Sequence, residues 1–259
     1  LSSAWSSSSP INTVRTATTS TGTQTASLLM GGSTPPYPTY SAVVEQYNGT
    51  GWATETVIPT ATMEAGGAGT VTAGLFAGGF KGPPPPGASA TFEYDGSTWT
   101  AGGAMGHGRT NLTSAGTQTA ALVAGGTAAA SPNPSNRTEE YNGSSWSDGG
   151  VLGTARYQMM GSNVGLQTAA LAIGGFVGTA QNLVEEYNGA SWSATTVLPT
   201  AGGNQARYGI TTAAVCAGGG PGPAADTDCR EFDGSAWTAM GSLATGRDSN
   251  SGSGTTTAG

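Results

Sequence analysis

Residues 116–146 read GTQTAALVAGGTAAASPNPSNRTEEYNGSSW, and this pattern recurs five times along the chain. Each copy runs from an Ala-rich stretch into a Gly-Gly pair. An insert follows, then a Glu-bearing segment ending in an aromatic residue, an Asn-Gly or Asp-Gly step, and a Trp. The glycine pairs are Gly31-Gly32, Gly78-Gly79, Gly125-Gly126, Gly174-Gly175 and Gly218-Gly219. The aromatics before the turn are Tyr47, Tyr94, Tyr141, Tyr187 and Phe232, and the tryptophans are Trp52, Trp99, Trp146, Trp192 and Trp237.

Successive tryptophans lie 47, 47, 46 and 45 residues apart. A self-similar unit of this length, carrying four short β segments, is one blade of an all-β propeller. Blades share a continuous core, so residues 1–259 read as one domain. In the third repeat, Leu112 to Ala115 reads as strand a, Thr119 to Ala124 as b, Arg137 to Tyr141 as c, and Ser145 to Ser147 begins d. Asn142-Gly143 between c and d is a strong hairpin signal, and the spacing predicts a type I′ turn with positive φ at both residues. The Gly-Gly pair marks where strand b bends or where a neighbouring Trp ring approaches the main chain. A phosphate loop is a poor alternative, since neither a helix nor a Lys-Ser/Thr pair follows the glycines.

Charged residues are only 9% of the chain, with net charge −7. One lysine (Lys81) and no basic run argue against a nucleic-acid partner. No apolar stretch approaches the roughly 20 residues that span a bilayer, so membrane insertion is not expected. No signal peptide is visible. The chain opens on Leu1, which reads as a processed product, a fragment or the ordered part of something longer. The Gly/Ser/Thr/Ala-rich composition is common in secreted, surface and virion fibre proteins, so an extracellular or virion location is expected. Cys216 and Cys229 fall at the positions of Leu29 and Val44, on neighbouring strands. A cross-strand disulfide and two separate buried hydrophobes both fit.

Gly-Gly, then Glu-Tyr-Asn/Asp, then Trp at fixed distance, then Arg before the next strand, resembles the kelch motif over nearly the whole chain. The matching arginines are Arg15, Arg109, Arg156, Arg207 and Arg247, with Thr62 standing where one is missing. The wording TEEYNGSSW and GTQTAALVAGG is also similar to kelch-like arrays in bacteriophage tail and fibre proteins. The resemblance implies a kelch-type propeller. The preferred count is six blades, one split between the termini. Leu1 to Trp5 would enter its d strand, Arg247 to Gly254 would form its a strand and Gly254 to Gly259 would start its b strand, so that this blade lacks c. Five blades with a spare strand, or part of a longer array, is the alternative. Mixing both termini in one sheet removes exposed edges.

The c–d turns are nearly uniform, whereas the b–c loops vary and hold 11 of the 14 prolines. Proline stiffens a loop and lowers the entropy lost on binding. The b–c and d–a loops share one face, and its candidate contact residues are Tyr37, Tyr40, Phe80, Lys81, Asn133 and Phe176, with Asp226 beside them. Tyr and Phe stack on sugar rings or fill protein pockets. The bland reading is that Phe80 and Phe176 tuck over the blade below. Arg109 and Arg156 join the ligand-binding set if the motif arginines form an anion site at the channel mouth. The favoured structural reading pairs each with a strand-c glutamate.

His107 is the sole histidine. A His-rich metal site is thereby excluded, and a catalytic triad would depend on one Gly-flanked residue. No cofactor, metal or catalytic residue is expected. Three functions remain to be weighed. The first is a non-enzymatic recognition or adhesion propeller, of a phage tail fibre or cell surface, binding a host-surface glycan or protein. The second is a structural or decoration subunit contacting neighbouring virion subunits. The third, disfavoured, is a glycan-active enzyme.

Overall fold

Short Ala/Val/Leu segments separated by Gly turns cannot bury a face alone, so each pairs into a small sheet and each sheet packs on the next. The structure is a computed structural model describing residues 5–82, 88–127, 133–159, 164–220 and 225–254. The first sheet pairs β1 (Thr19–Thr23) with β2 (Ala26–Met30). A small hairpin, β3 (Ser33–Thr34) and β4 (Thr39–Tyr40), rises from the b–c loop, and β5 (Val44–Tyr47) and β6 (Trp52–Glu55) complete the sheet. The second holds β7 (Gly66–Thr70), β8 (Ala73–Ala77), β9 (Thr91–Tyr94) and β10 (Trp99–Ala101). The third holds β11 (Thr113–Gly116), β12 (Ala121–Ala124), β13 (Thr138–Tyr141) and β14 (Trp146–Asp148). The fourth comprises β15 (Gly165–Leu166), β16 (Ala169–Ile173), β19 (Val184–Tyr187) and β20 (Trp192–Ala194), with the loop hairpin β17 (Phe176–Val177) and β18 (Thr179–Ala180). The fifth holds β21 (Ala206–Ile210), β22 (Ala213–Ala217), β23 (Cys229–Phe232) and β24 (Trp237–Ala239). All pairs are antiparallel, and no helix occurs among the described residues.

The protein is thus a five-bladed β-propeller. Five four-stranded sheets form among the described residues, which is the five-blade alternative; the preferred six blades, one split between the termini, are not confirmed, and residues 1–4 and 255–259 of the split blade lie outside the described residues. The sixth position is nevertheless marked. Six non-glycine residues, one per repeat, adopt positive φ at the start of the inner strand: Ala17, Glu64, Asn111, Gln158, Asn204 and Ser249. They join blade to blade in a belt of main-chain bonds: Ala17 N to Ser249 O, Glu64 N to Ala17 O, Asn111 N to Glu64 O, and Asn204 N to Gln158 O. Ser249 lies beyond the fifth sheet, and its segment lies against β1. Thr18 Oγ1 meets Ser251 Oγ at 3.0 Å, and Ser27 Oγ meets Ser253 Oγ at 2.6 Å. Trp5, at the other end, is 38% exposed.

Between blades, the strand-c aromatics of the second to fifth sheets are sealed against the preceding sheet. Tyr141 packs on Ala68 and Leu75, and Tyr187 packs with Ala115 and Leu122. Within its own blade each faces the Trp across the turn, as in Tyr141–Trp146 at 4.9 Å between centroids. Such a pair adds about 0.5–1.5 kcal/mol beyond the area it buries. The indole reaches the preceding blade, with Trp146 Nε1 donating to Thr91 Oγ1 and Trp192 Nε1 to Thr138 Oγ1, both 2.9 Å.

One local expectation is corrected and two open alternatives are decided. The c–d turn is a four-residue loop, not type I′. Tyr141 pairs with Trp146, only Gly143 has positive φ, and Asn142 Oδ1 accepts the Ser144 and Ser145 amides at 3.0 Å. The side-chain oxygen satisfies the turn amides, so Asn need not enter the left-handed region. At the Gly-Gly pair it is a neighbouring backbone that approaches, not an indole. Gly126 N donates to Arg156 O at 2.8 Å, and a Cβ on Gly126 would stand 2.5 Å from Thr110 O. Finally, Cys216 and Cys229 are both free and buried. Ala217, not Cys216, pairs with Cys229, so the pleat sends the two thiols to opposite faces of the sheet.

Candidate functional site

The motif arginines are structural. Arg109 is fully buried, its Nη2 2.9 Å from Glu139 Oε1, while Nη1 donates to Gly125 O and Arg137 O. Arg156 repeats this with Glu185 at 2.8 Å, and Arg15 with Glu45 at 3.1 Å. Burial lowers each guanidinium pKa and the paired carboxylate opposes that shift. Each glutamate also accepts a main-chain N–H from the incoming loop, from Asn12, Gly106 or Gly153. Arg109 and Arg156 therefore leave the ligand-binding set, since their guanidinium groups are buried and their Nη atoms bond inside the ring. The next glutamates along, Glu93 and Glu140, accept the hydroxyls of Tyr141 and Tyr187 from the following blade.

Two blades break the pattern together. In the second, Thr62 stands for Arg, Phe92 for Glu, and Pro59, which has no N–H, for Gly106. In the fifth, Gly202, Arg230 and Pro199 occupy the same three positions. Arg207 is thus not the motif arginine. It sits on β21, buried, with burial lowering its pKa to about 10. The broken set in the fifth blade leaves a small open pocket lined by Leu198, Thr200, Gln205, Asp226, Asp228 and Arg230. Arg230 Nη2 pairs there with Asp228 Oδ2 at 2.7 Å.

On the b–c face the structure brings together part of the candidate set. Tyr40 on β4 meets Phe80 edge-on, 5.6 Å between centroids, tying the hairpin of the first blade to the loop of the second. Tyr37 at the hairpin tip is 55% exposed, and Lys81 beside Phe80 is exposed. Asn133 is exposed on the third blade's loop. Phe176 is half-buried, pairs with Tyr157 at 6.1 Å, and lies over Gly203 of the fifth blade. That is the tucked arrangement, so Phe176 serves packing. Tyr157 was not singled out from sequence, although it follows a motif arginine. The proline-rich runs at 83–87, 128–132 and 221–224 lie outside the described residues.

The described residues contain no group of three or more His, Cys, Asp or Glu placed to hold a metal ion. Just before β7, Glu64 Oε2 accepts from Thr110 and Asn111 of the next repeat at 2.9 and 2.7 Å. Burial raises its pKa, and these bonds oppose the rise. Compared with protein-family models and with curated proteins, the chain matches none.

Proposed function

We propose that this propeller is a non-enzymatic recognition module, built of kelch-like repeats and carried on a phage tail fibre or cell surface. It binds a host-surface glycan or protein through the b–c and d–a face of the first two blades. The observation that carries the reading is the patch of Tyr37, Tyr40, Phe80 and Lys81. Here an exposed ring and an exposed ammonium are held by an aromatic contact that spans two blades. A pre-ordered aromatic surface loses little entropy on binding, and Tyr presents both a stacking face and a hydroxyl. The uniform c–d turns on the other face offer no comparable variation.

The test is a glycan array followed by titration of the best hit. The triple replacement of Tyr37, Tyr40 and Phe80 by Ala should abolish binding while leaving the Trp emission spectrum unchanged. Binding that survives the triple replacement would refute the assignment of the patch. Turnover of the bound glycan would refute the non-enzymatic reading.

A further inference from the structure

Three c–d turns carry an Asn-Gly step, at Asn48-Gly49, Asn142-Gly143 and Asn188-Gly189, and all three asparagines are exposed. In each, donors converge on the side-chain oxygen. Asn142 Oδ1 accepts the Ser144 and Ser145 amides at 3.0 Å and the Ser144 hydroxyl at 2.9 Å. Asn48 Oδ1 accepts the Thr50 and Gly51 amides at 3.0 Å and the Thr50 hydroxyl at 2.8 Å. Asn188 Oδ1 accepts the Ala190 and Ser191 amides at 3.0 and 2.9 Å, and Ala190 has no hydroxyl to add. Neither the side-chain nitrogen of these asparagines nor the N–H of the glycine that follows bonds to another described residue.

These are the parts of an intramolecular addition. Donors aimed at a carbonyl oxygen stabilise the oxyanion that forms when a nucleophile adds to its carbon. The nucleophile is the glycine nitrogen, tethered next to that carbonyl by the chain and unshielded because glycine has no Cβ. The leaving nitrogen is held by nothing in the protein.

We propose that the three turns are self-modifying sites at which the folded chain converts asparagine to aspartate, with water as the sole co-reactant. Gly143 N gives its proton to solvent and adds to Asn142 Cγ. The new C–N bond closes a succinimide ring, and Nδ2 takes a proton from solvent and leaves as ammonia. Water then opens the ring. Opening at Cγ leaves aspartate on an unchanged main chain, and opening at the main-chain carbonyl leaves isoaspartate. Nothing is oxidised or reduced.

The other two turns show that the direct product fits. Asp95 Oδ1 accepts the Ser97 and Thr98 amides at 2.8 and 2.7 Å, and Asp233 Oδ1 accepts the Ser235 and Ala236 amides at 2.8 Å. Tyr94 pairs with Trp99 and Phe232 with Trp237, as Tyr141 does with Trp146. Each conversion to aspartate therefore keeps the blade and adds one negative charge to the c–d face. The hydroxyl sets the order: Asn48 and Asn142 convert before Asn188.

The full chain is held at mildly alkaline pH and sampled over time, with each turn followed by peptide mapping and mass. Asn48 and Asn142 should convert about tenfold faster than Asn188, less than the hundredfold that one donor supplies in a water-excluded site. The order should vanish in guanidinium chloride, where the turns are lost. Ala190→Ser should bring Asn188 up to the rate of the other two, and Ser144→Ala should slow Asn142 alone. Asn48 in the same molecule reports that each variant keeps its fold. No conversion in the folded chain, one common rate folded and unfolded, or a rate at Asn188 that Ala190→Ser leaves unchanged would overturn the proposal.

Discussion

Replacing Arg109 by Thr and Glu139 by Phe rebuilds in the third blade what the second already has. Each single change breaks a buried pair. R109T leaves Glu139, 2% exposed, with only the Gly106 amide, and E139F leaves a fully buried guanidinium with only carbonyl partners. Removing one partner of a buried ion pair costs about 3–5 kcal/mol. A domain is stable by only about 5–15 kcal/mol, so either single variant should lose a large fraction of its urea midpoint. The double variant removes both charges together. The Gly106 amide, at an exposed residue, can turn to water. The double should therefore cost less than the sum of the singles by at least about 2 kcal/mol, the size of coupling seen between residues in direct contact. Adding G106P completes the second-blade set and should cost little more. The assay is equilibrium urea unfolding followed by Trp fluorescence for the four proteins of the cycle. Additivity within about 0.5 kcal/mol would refute the claim that these residues act as one unit.

The c–d turns set an acid limit. Backbone and side-chain hydrogen bonds from Thr98 and Ser97 hold the Asp95 pKa well below the usual carboxylate range, and bonds from Ala236 and Ser235 do the same for Asp233. A depressed pKa contributes stability above the unfolded value, near 3.9, that is lost as pH falls through the folded value. Asp95→Asn with Asp233→Asn copies the turns at Asn48, Asn142 and Asn188. It should leave the melting temperature unchanged at neutral pH and flatten its fall below about pH 4. At the alkaline end, burial and then the Glu93 and Glu140 hydrogen bonds push Tyr141 and Tyr187 up to about 12. Their neutral forms are favoured in the fold, so stability present below the unfolded value of about 10 is lost as pH rises toward 12. Y141F with Y187F should shrink that alkaline loss in a pH series of urea midpoints. Gly126→Ala forces a side chain into positive φ against Thr110 O and should cost at least about 2 kcal/mol by the same unfolding assay.

The repeat and the strands of each blade were legible because each rests on local pattern. The turn at Asn142 was misread because Asn-Gly fits two loop types, and only the pairing of Tyr141 with Trp146 separates them. Arg207 was taken for the motif arginine because Gly202 leaves that position blank and another arginine stands five residues on. Pro59 and Pro199 were the available signal, since a proline cannot donate the amide that the motif glutamate accepts. The belt carried little signal, since only Asn111 and Asn204 among its six residues favour positive φ. Ala17, Glu64 and Gln158 are not residues that favour positive φ, and the strain of about 1–2 kcal/mol there is offset by bonds between blades. The cysteines show how a one-residue offset in register reverses the face a side chain takes. The patch of Tyr37, Tyr40, Phe80 and Lys81 was named from composition, but the Tyr40–Phe80 contact between blades follows only from ring geometry.

The ring itself is tested most directly by joining its two ends. Ala17 N lies 3.1 Å from Ser249 O, although the residues are separated by nearly the whole chain. In the double variant T18C/S251C, whose parent hydroxyls are half-buried and 3.0 Å apart at the same junction, a short bis-maleimide should link the two thiols within one molecule. The buried Cys216 and Cys229 should stay unmodified until the protein is unfolded. Intact mass and peptide mapping should show the single intramolecular bridge in high yield. A linear stack of the five units would hold positions 18 and 251 at opposite ends. Monoadducts or links only between molecules would then be found, and the radial arrangement would be contradicted.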